Sequence, residues 1–124
     1  MLIDLMTTVH IVDDDASVRT AIGRVLEAAG YDVAVYKSAE ELLARLPELS
    51  EPGCILLDVM MPRLDGRELR DRLRKLGSAL PIVFMTGSPE PIEGGTEDLL
   101  LKPFSINRLI EAIEDVLRGK RTAE

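Results

Sequence analysis

Apolar residues follow two alternating patterns along this chain of 124 residues. Short runs of β-branched and aliphatic residues predict buried strands, and longer stretches with apolar positions three or four residues apart predict helices. Helix-like stretches follow four of the five strand-like runs, and the connection between the fourth and fifth runs is the exception. The strand-like runs are residues 9–12, 31–36, 54–59, 81–86 and 99–101.

The predicted helices are bounded by residues that cap or break helices. Short polar side chains accept hydrogen bonds from the first free backbone N–H groups, while glycine and proline end helices. In the third helix, Leu69, Leu73 and Leu76 are predicted to face the core and the arginines to face water. The candidate N-caps are Asp15, Ser38 (in a capping box with Glu41), Asp65 and Ser105, and the candidate terminators are Gly30, Pro47 and Gly119.

Alternation of strands and helices predicts an α/β domain with a parallel sheet covered by helices on both faces. The strands are almost wholly apolar, which is typical of strands buried on both faces. No internal repeat or interdomain linker interrupts the pattern. We therefore expect a single doubly wound domain over residues 1–124, with its core at about residues 9–118.

Composition narrows the possible classes of function. With 22 acidic and 15 basic residues the net charge is −7, which argues against direct binding of nucleic acid by this domain. Cys54 is the single cysteine, so a disulfide framework is excluded and a reducing compartment is favoured. No uncharged run approaches the ~20 residues of a membrane span, and the amino terminus lacks the basic region of a signal peptide. We expect a cytoplasmic protein.

Polar residues gather where the predicted strands end. Asp13 and Asp14 follow the first strand, Asp58 lies near the end of the third, Thr86 ends the fourth, and Lys102 follows the fifth. In doubly wound folds ligands bind beyond the carboxyl ends of the strands. We therefore expect three carboxylates, one hydroxyl and one ammonium group to meet at one edge of the sheet.

Asp58 is the most informative of these residues, because apolar residues surround it in the sequence. A buried carboxylate costs several kcal/mol unless it is paired or bound to a cation. Asp13 and Asp14 only add like charge, so a divalent cation that prefers oxygen ligands, such as Mg²⁺, is predicted. With Lys102 also present, the site suits a phosphoryl group: cations shield its oxygens while a carboxylate attacks.

Four motifs in this order resemble the receiver domains of bacterial two-component response regulators. They are IVDD at 11–14, LDVMMPRLDG at 57–66, MTG at 85–87 and LKPF at 101–104, and the resemblance covers essentially the whole chain. The opening VHIVDD further resembles receivers of the nitrogen-fixation regulator type. The resemblance implies a flavodoxin-like five-stranded parallel sheet with strand order 2-1-3-4-5.

The resemblance also implies a metal site. It makes Asp14 a direct ligand of Mg²⁺, with Asp13 holding the ion mainly through water. Asp58 and the backbone carbonyl of Met60 complete the ligands from the protein.

Carried onto this sequence, the resemblance makes Asp58 the phosphoacceptor. Thr86 would hydrogen-bond the phosphoryl group after transfer, and Lys102 would pair with it. The side chains of Met60 and Ser88 would influence the lifetime of the phosphoryl group. The Lys102–Pro103 bond is a candidate cis peptide, and Gly66 would form the turn into the third helix.

The function implied is that of a signalling phosphoacceptor rather than a metabolic enzyme. It would take a phosphoryl group from a sensor histidine kinase or a phosphotransfer protein and signal to an output domain or an effector protein. It would catalyse its own phosphorylation and, slowly, its own dephosphorylation. Two alternatives remain open at this point: a Mg²⁺-dependent phosphatase or phosphotransferase with an aspartyl nucleophile, and a pseudo-receiver that only binds a partner. Dehalogenase-type phosphatases usually place an acid at the position of Met60.

The connection between the fourth and fifth strands departs from this family. Only 15 residues separate Thr86 from Lys102, and the fifth strand uses at least three of them. A typical helix takes about 11–12 residues and each flanking loop ~2–6, so a full helix does not fit. Pro89, Pro91, Gly94 and Gly95 also oppose helix formation in the rest of the connection. We predict that the helix between strands 4 and 5 is shortened or lost.

Overall fold

The computed structural model describes residues 7–46, 49, 52–61, 63, 65–87 and 98–119. Strands and helices alternate along most of this range, as the apolar pattern predicts. The elements are β1 (Thr8–Val12), α1 (Ala16–Ala28), β2 (Asp32–Tyr36), α2 (Ala39–Ala44), β3 (Gly53–Asp58), α3 (Gly66–Lys75), β4 (Ile82–Thr86), β5 (Asp98–Leu101) and α4 (Ile106–Leu117).

The five strands form one parallel sheet in the order β2-β1-β3-β4-β5. β1 lies between β2 and β3, with Val12 opposite both Tyr36 and Leu57. Asp58 lies opposite Met85, and Thr86 lies opposite Leu101. The predicted doubly wound fold and its strand order 2-1-3-4-5 are confirmed.

Each face of the sheet carries its own hydrophobic core, because successive side chains of a strand point to opposite faces. On one face Ile11 and Leu56 pack with residues of α1 and α4. On the other face Val12 and Leu57 pack with residues of α2 and α3. The central strands are therefore buried on both sides.

Three of the four predicted N-caps are confirmed in full. Asp15 accepts hydrogen bonds from backbone N–H groups in the first turn of α1, Ser105 does so for α4, and Asp65 forms a complete capping box with Glu68. Ser38 caps α2, but the Glu41 carboxylate accepts from the N–H of Lys37 instead of Ser38, so the predicted capping box is only half formed.

Two expectations for α3 were wrong. Arg70 is buried, with its guanidinium carbon 5.8 Å from the centroid of the Phe84 ring and its Nε donating to Asp71. Leu76, the C-cap residue of α3, is exposed. An arginine can bury its stem and stack on an aromatic ring, which a simple polar-outside pattern does not anticipate.

The connection between β4 and β5 occupies residues 87–97, of which 88–97 lie outside the described residues. The predicted shortening or loss of a helix there therefore stays a prediction. Among the helices that the structure describes, none combines the length and the apolar character needed to cross a bilayer.

Candidate functional site

The strand ends bring the predicted site residues to one edge of the sheet. Asp13 directly follows β1, Asp58 is the last residue of β3, Thr86 is the last of β4, and Lys102 directly follows β5. The Lys102 Nζ atom lies 3.4 Å from Asp58 Oδ2 and 3.9 Å from Asp13 Oδ2. Residues 89 positions apart in the sequence thus share one small site.

Three carboxylates form the centre of the site. One oxygen each from Asp13, Asp14 and Asp58 lie within 4.8 Å of one another. Asp13 and Asp58 are buried and Asp14 is exposed, so the cluster opens to solvent on one side. One ammonium group against three carboxylates leaves two negative charges without a partner in the cluster when all three acids are ionised.

The two carboxylate oxygens of Asp58 have different partners. Oδ1 accepts a hydrogen bond of 3.0 Å from the backbone N–H of Met60, and Oδ2 accepts one of 3.4 Å from Lys102 Nζ. Asp58 is only 6% exposed, although it ends a strand at the surface of the sheet edge. The backbone of the loop after β3 therefore fixes the orientation of this carboxylate.

Asp13 is the strained member of the cluster. Its Oδ1 accepts from the N–H of Asp15 at 2.9 Å, but its buried Oδ2 has no hydrogen-bond partner among the described residues. The pKa of Asp13 is raised to about 6, mainly by burial and in part by the nearby Asp58 carboxylate, while the Asp15 N–H and Lys102 oppose the shift. Without a cation, the ionised form of Asp13 is held at a cost in free energy.

Thr86 and Lys102 are joined through the backbone. The N–H of Lys102 donates to the carbonyl oxygen of Thr86 at 2.7 Å, and Thr86 is buried. The predicted cis peptide bond between Lys102 and Pro103 is present. The Lys102 side chain, 35% exposed, reaches back over the acidic cluster.

Gly66 holds the loop after Asp58 against α3. A Cβ atom at Gly66 would lie 2.8 Å from the carbonyl oxygen of Asp58 and 3.0 Å from Val59 Cα. The Gly66 N–H also donates to the Val59 carbonyl oxygen. Glycine is thus required for close backbone approach, which is a stronger constraint than the turn expected from the sequence.

Arg19 is a contact of the site that the sequence pattern did not reveal. Its Nη1 donates to the backbone carbonyl oxygen of Asp13 at 2.7 Å. Arg19 lies in the first turn of α1, the helix that Asp15 caps. Its position shortly after Asp13 and Asp14 was the one signal in the sequence that could have predicted this contact. The contact anchors the segment that carries the two adjacent acids.

Of the two residues predicted to influence phosphoryl lifetime, Met60 directly borders the site and is 72% exposed. Ser88 lies outside the described residues.

The donor set fits a hard divalent cation. Three carboxylate oxygens lie close together, one of them buried without a hydrogen-bond donor in the described part of the chain, and oxygen ligands of this kind suit Mg²⁺. A bound cation would give Asp13 Oδ2 a second positive partner besides the Lys102 ammonium group, whose Nζ lies 3.9 Å away and too far for a hydrogen bond. The acidic cluster can therefore hold a metal ion.

The parallel sheet of this order, with clustered acids and a lysine at its strand ends, can now be compared with known families. The family model described as "Response regulator receiver domain" matches residues 9–114. The chain belongs to this family: it is a response regulator receiver domain, a signalling module and not a classical enzyme.

Two relatives show how the match extends along the sequence. The chain is 40% identical over 118 residues to the tetrathionate response regulatory protein TtrR of Salmonella typhimurium, covering 90% of this chain and 57% of TtrR. It is 39% identical over 127 aligned positions to the transcriptional regulatory protein FixJ of Bradyrhizobium diazoefficiens, covering 95% of this chain and 62% of FixJ. The chain thus spans a little over half the length of these two relatives.

Solved structures agree with the fold and with the expected subfamily. The crystal structure of FixJ-N superposes with a TM-score of 0.84 at 33% identity, covering 93% of this chain and 96% of that one. The response regulator StyR gives a TM-score of 0.82 at 36% identity, covering 94% of this chain and 61% of StyR. The predicted similarity to the nitrogen-fixation regulator type is supported.

Proposed function

We propose that this domain accepts a phosphoryl group on Asp58, from the phosphohistidine of a sensor histidine kinase or a phosphotransfer protein. The observation that carries the proposal is the placement of the Asp58 carboxylate. It ends a buried strand, Met60 N–H holds Oδ1, and Lys102 lies 3.4 Å from Oδ2. The carboxylate is oriented, charge-compensated on one side and open toward Asp14 on the other.

Mg²⁺ is the proposed cofactor. Asp14 and Asp58 would bind it directly, Asp13 mainly through water, and the backbone carbonyl of Met60 would supply a further oxygen. When bound, the ion would neutralise charge on the oxygens of the incoming phosphoryl group. The cluster of three carboxylate oxygens, all within 4.8 Å of one another, supports this proposed metal site.

The reaction would be catalysed by the domain itself. An Asp58 carboxylate oxygen attacks phosphorus, the P–N bond of the donor breaks, and the bonding electrons leave with the donor imidazole. Asp58 then carries a mixed anhydride of carboxylate and phosphate. Lys102, already at the carboxylate, would pair with the added negative charge.

Thr86 would carry the change of state into the fold. Its hydroxyl would hydrogen-bond the new phosphoryl group, and its backbone carbonyl already accepts from the Lys102 N–H. A movement of Thr86 would thus reach β5 and the loop before α4. We propose that this movement changes the surface presented to an output domain or an effector protein.

A groove beside the site suits the approach of a phosphodonor protein. It has a volume of about 490 Å³ and lies between α1 and the loop that follows β5. Val18, Ala21 and Ile22 line one side, and Lys102 and Phe104 line the other. We propose that the kinase or phosphotransfer protein docks along α1, within a cytoplasmic setting.

Slow loss of the phosphoryl group is proposed as well. A thioether is a weak hydrogen-bond acceptor and orients water poorly. Met60 therefore offers little help to a hydrolytic water, and we expect the phosphorylated state to persist. Ser88 is the second residue proposed to influence this lifetime.

Binding of beryllofluoride in the presence of Mg²⁺ tests the proposed function, because this anion imitates a phosphoryl group on a carboxylate. We expect saturable binding, followed by the amide resonances of residues at the strand ends, and no binding to Asp58→Asn. Glu111→Gln, on the exposed side of α4, is the matched control and should bind normally. Absence of binding to the unmodified chain would indicate a pseudo-receiver. Sustained hydrolysis of a phosphate monoester would indicate a phosphatase.

A further inference from the structure

Met60 is an exposed methionine whose backbone is bonded to the proposed phosphoacceptor. Its backbone N–H donates to Asp58 Oδ1 at 3.0 Å, so its Cα is held next to the carboxylate. The residue is 72% exposed, the largest exposed fraction among the exposed large hydrophobic residues of the described chain. Met60 is therefore open to solvent and starts from a backbone position next to the Asp58 carboxylate.

The other sulfur atoms that the structure describes are shielded. Met61 is partly buried against the core under α2 and α3, and Met85 in β4 is fully buried. Cys54 is fully buried, and burial raises the pKa of its thiol to about 12, so it does not form the reactive thiolate. A solution oxidant thus reaches Met60 before these three residues.

We infer that Met60 is a site of oxidative modification by hydrogen peroxide or another two-electron peroxide oxidant. The thioether sulfur gives up two electrons and gains one oxygen atom. The O–O bond of the peroxide breaks, and its second oxygen leaves as water from hydrogen peroxide or as the corresponding alcohol from an alkyl hydroperoxide. The product is methionine sulfoxide, which is polar and has a strongly accepting oxygen.

The modification changes the solvent side of the site and leaves its backbone contacts in place. A sulfoxide oxygen can accept a hydrogen bond from water near Asp58, whereas the thioether does so only weakly. Water oriented there attacks the phosphoryl group more readily. Resting on the proposed phosphorylation of Asp58, the inference is that oxidation of Met60 shortens the lifetime of the phosphorylated state.

Peptide mass spectrometry after graded treatment with hydrogen peroxide tests the modification itself. We expect Met60 to gain oxygen at lower peroxide doses than Met61 or Met85, with fragmentation of the peptide separating the two adjacent methionines. Preferential oxidation of Met61 or Met85 would overturn the inference. This measurement needs no phosphorylation and stands whether or not Asp58 is the acceptor.

Decay of the phosphorylated state tests the consequence. In the unmodified chain, peroxide should raise the rate of phosphoryl loss about threefold or more, a small effect beside the ~100-fold of a positioned general base. Met60→Leu should lose this response to peroxide, and Met61→Leu, the matched control, should keep it. Met60→Gln, which imitates the sulfoxide, should show faster loss without peroxide.

The outcomes separate the two proposals. Normal phosphorylation with a decay rate that oxidation of Met60 leaves unchanged would overturn this inference alone. Failure of the untreated chain to take up a phosphoryl group would overturn the proposed function, and the lifetime effect with it. A peroxide response that persists in Met60→Leu would also contradict the inference, because the responsible group would lie elsewhere.

Discussion

At the residue scale, the three acids of the site differ in burial and in their hydrogen-bond partners. Asp58 has a hydrogen-bond donor for each oxygen, whereas one buried oxygen of Asp13 has no such donor among the described residues. Asp14 faces solvent. The sequence places Asp13 and Asp14 next to each other after a strand. Which of the two carboxylates is buried could not be predicted, because it depends on where β1 ends relative to β3.

The strain on Asp13 leads to a prediction about pH and stability without metal. Its folded-state pKa of about 6 lies above the ordinary value of 3.8, so its ionisation penalises folding fully above about pH 6, and the penalty disappears below the ordinary value. Asp13→Asn should therefore raise the free energy of unfolding by on the order of 1–3 kcal/mol at about pH 8, and by less at about pH 5.

Urea unfolding of both proteins at the two pH values measures this effect. Asp71→Asn, which changes an exposed carboxylate on α3, should show no such pH-dependent gain. A gain for Asp13→Asn that is the same at both pH values would show that charge burial is not its cause.

Asp14 leads to a prediction about metal affinity. Changing even outer-shell partners of a metal costs about 10–100-fold in affinity, so losing a direct anionic ligand should cost at least about 10-fold. Titration of Mg²⁺ into Asp14→Asn should show this loss, whereas Asp32→Asn, the same change at the amino end of β2, should bind like the unmodified chain. Equal affinities for the two variants would remove Asp14 from the ligand set.

At the scale of elements, the strand ends and helix starts are what the sequence predicts best. A strand that ends in an acid appears in the sequence as an apolar run, and a helix start appears as a short polar residue before an amphipathic stretch. For this reason β3, with Asp58 at its end, and the caps Asp65 and Ser105 were predictable. Contacts made across elements were not. The burial of Arg70 over Phe84 and the contact of Arg19 with Asp13 depend on how helices rest on the sheet.

The start of α3 gives a prediction about close packing. In Gly66→Ala the new Cβ would meet the Asp58 carbonyl oxygen and Val59 Cα, so backbone must move, which should cost about 1–3 kcal/mol of stability. It should also displace the N–H of Met60 from Asp58 and slow phosphorylation.

Gly23→Ala in α1 is the matched control. Its Cβ would lie 3.6 Å from Val33 Cγ1, an ordinary contact, and alanine is favoured over glycine within helices by about 0.5–1 kcal/mol. Thermal unfolding should therefore show the two variants moving in opposite directions. A Gly66→Ala protein as stable and as readily phosphorylated as the unmodified chain would contradict the account of this contact.

At the scale of the whole molecule, the fold class follows from the alternation of strands and helices. The surface that would contact an output domain or effector does not follow from this alternation. Parallel strands with right-handed crossovers leave few arrangements, which is why the doubly wound class was predictable. The order 2-1-3-4-5 was implied by the family resemblance and is now seen. Residues 87–97 are too few to hold a helix of ordinary length with its loops, so we expect an unusual surface between β4 and β5.

An experimental structure or amide hydrogen exchange tests this expectation. We predict fast exchange over most of residues 88–97, with at most one helical turn, and any dimer formed without a helix from this segment. A regular helix of three turns there, or a dimer built on one, would contradict the prediction.

Transfer of a labelled phosphoryl group tests most directly whether Asp58 is the phosphoacceptor. A phosphohistidine donor, or acetyl phosphate, should transfer a labelled phosphoryl group to the unmodified chain in the presence of Mg²⁺, in an amount approaching one group per chain. Glu111→Gln should take up the same amount, and Asp58→Asn should take up none, because its amide is not a nucleophile. Undiminished labelling of Asp58→Asn would place the acceptor elsewhere and contradict the account.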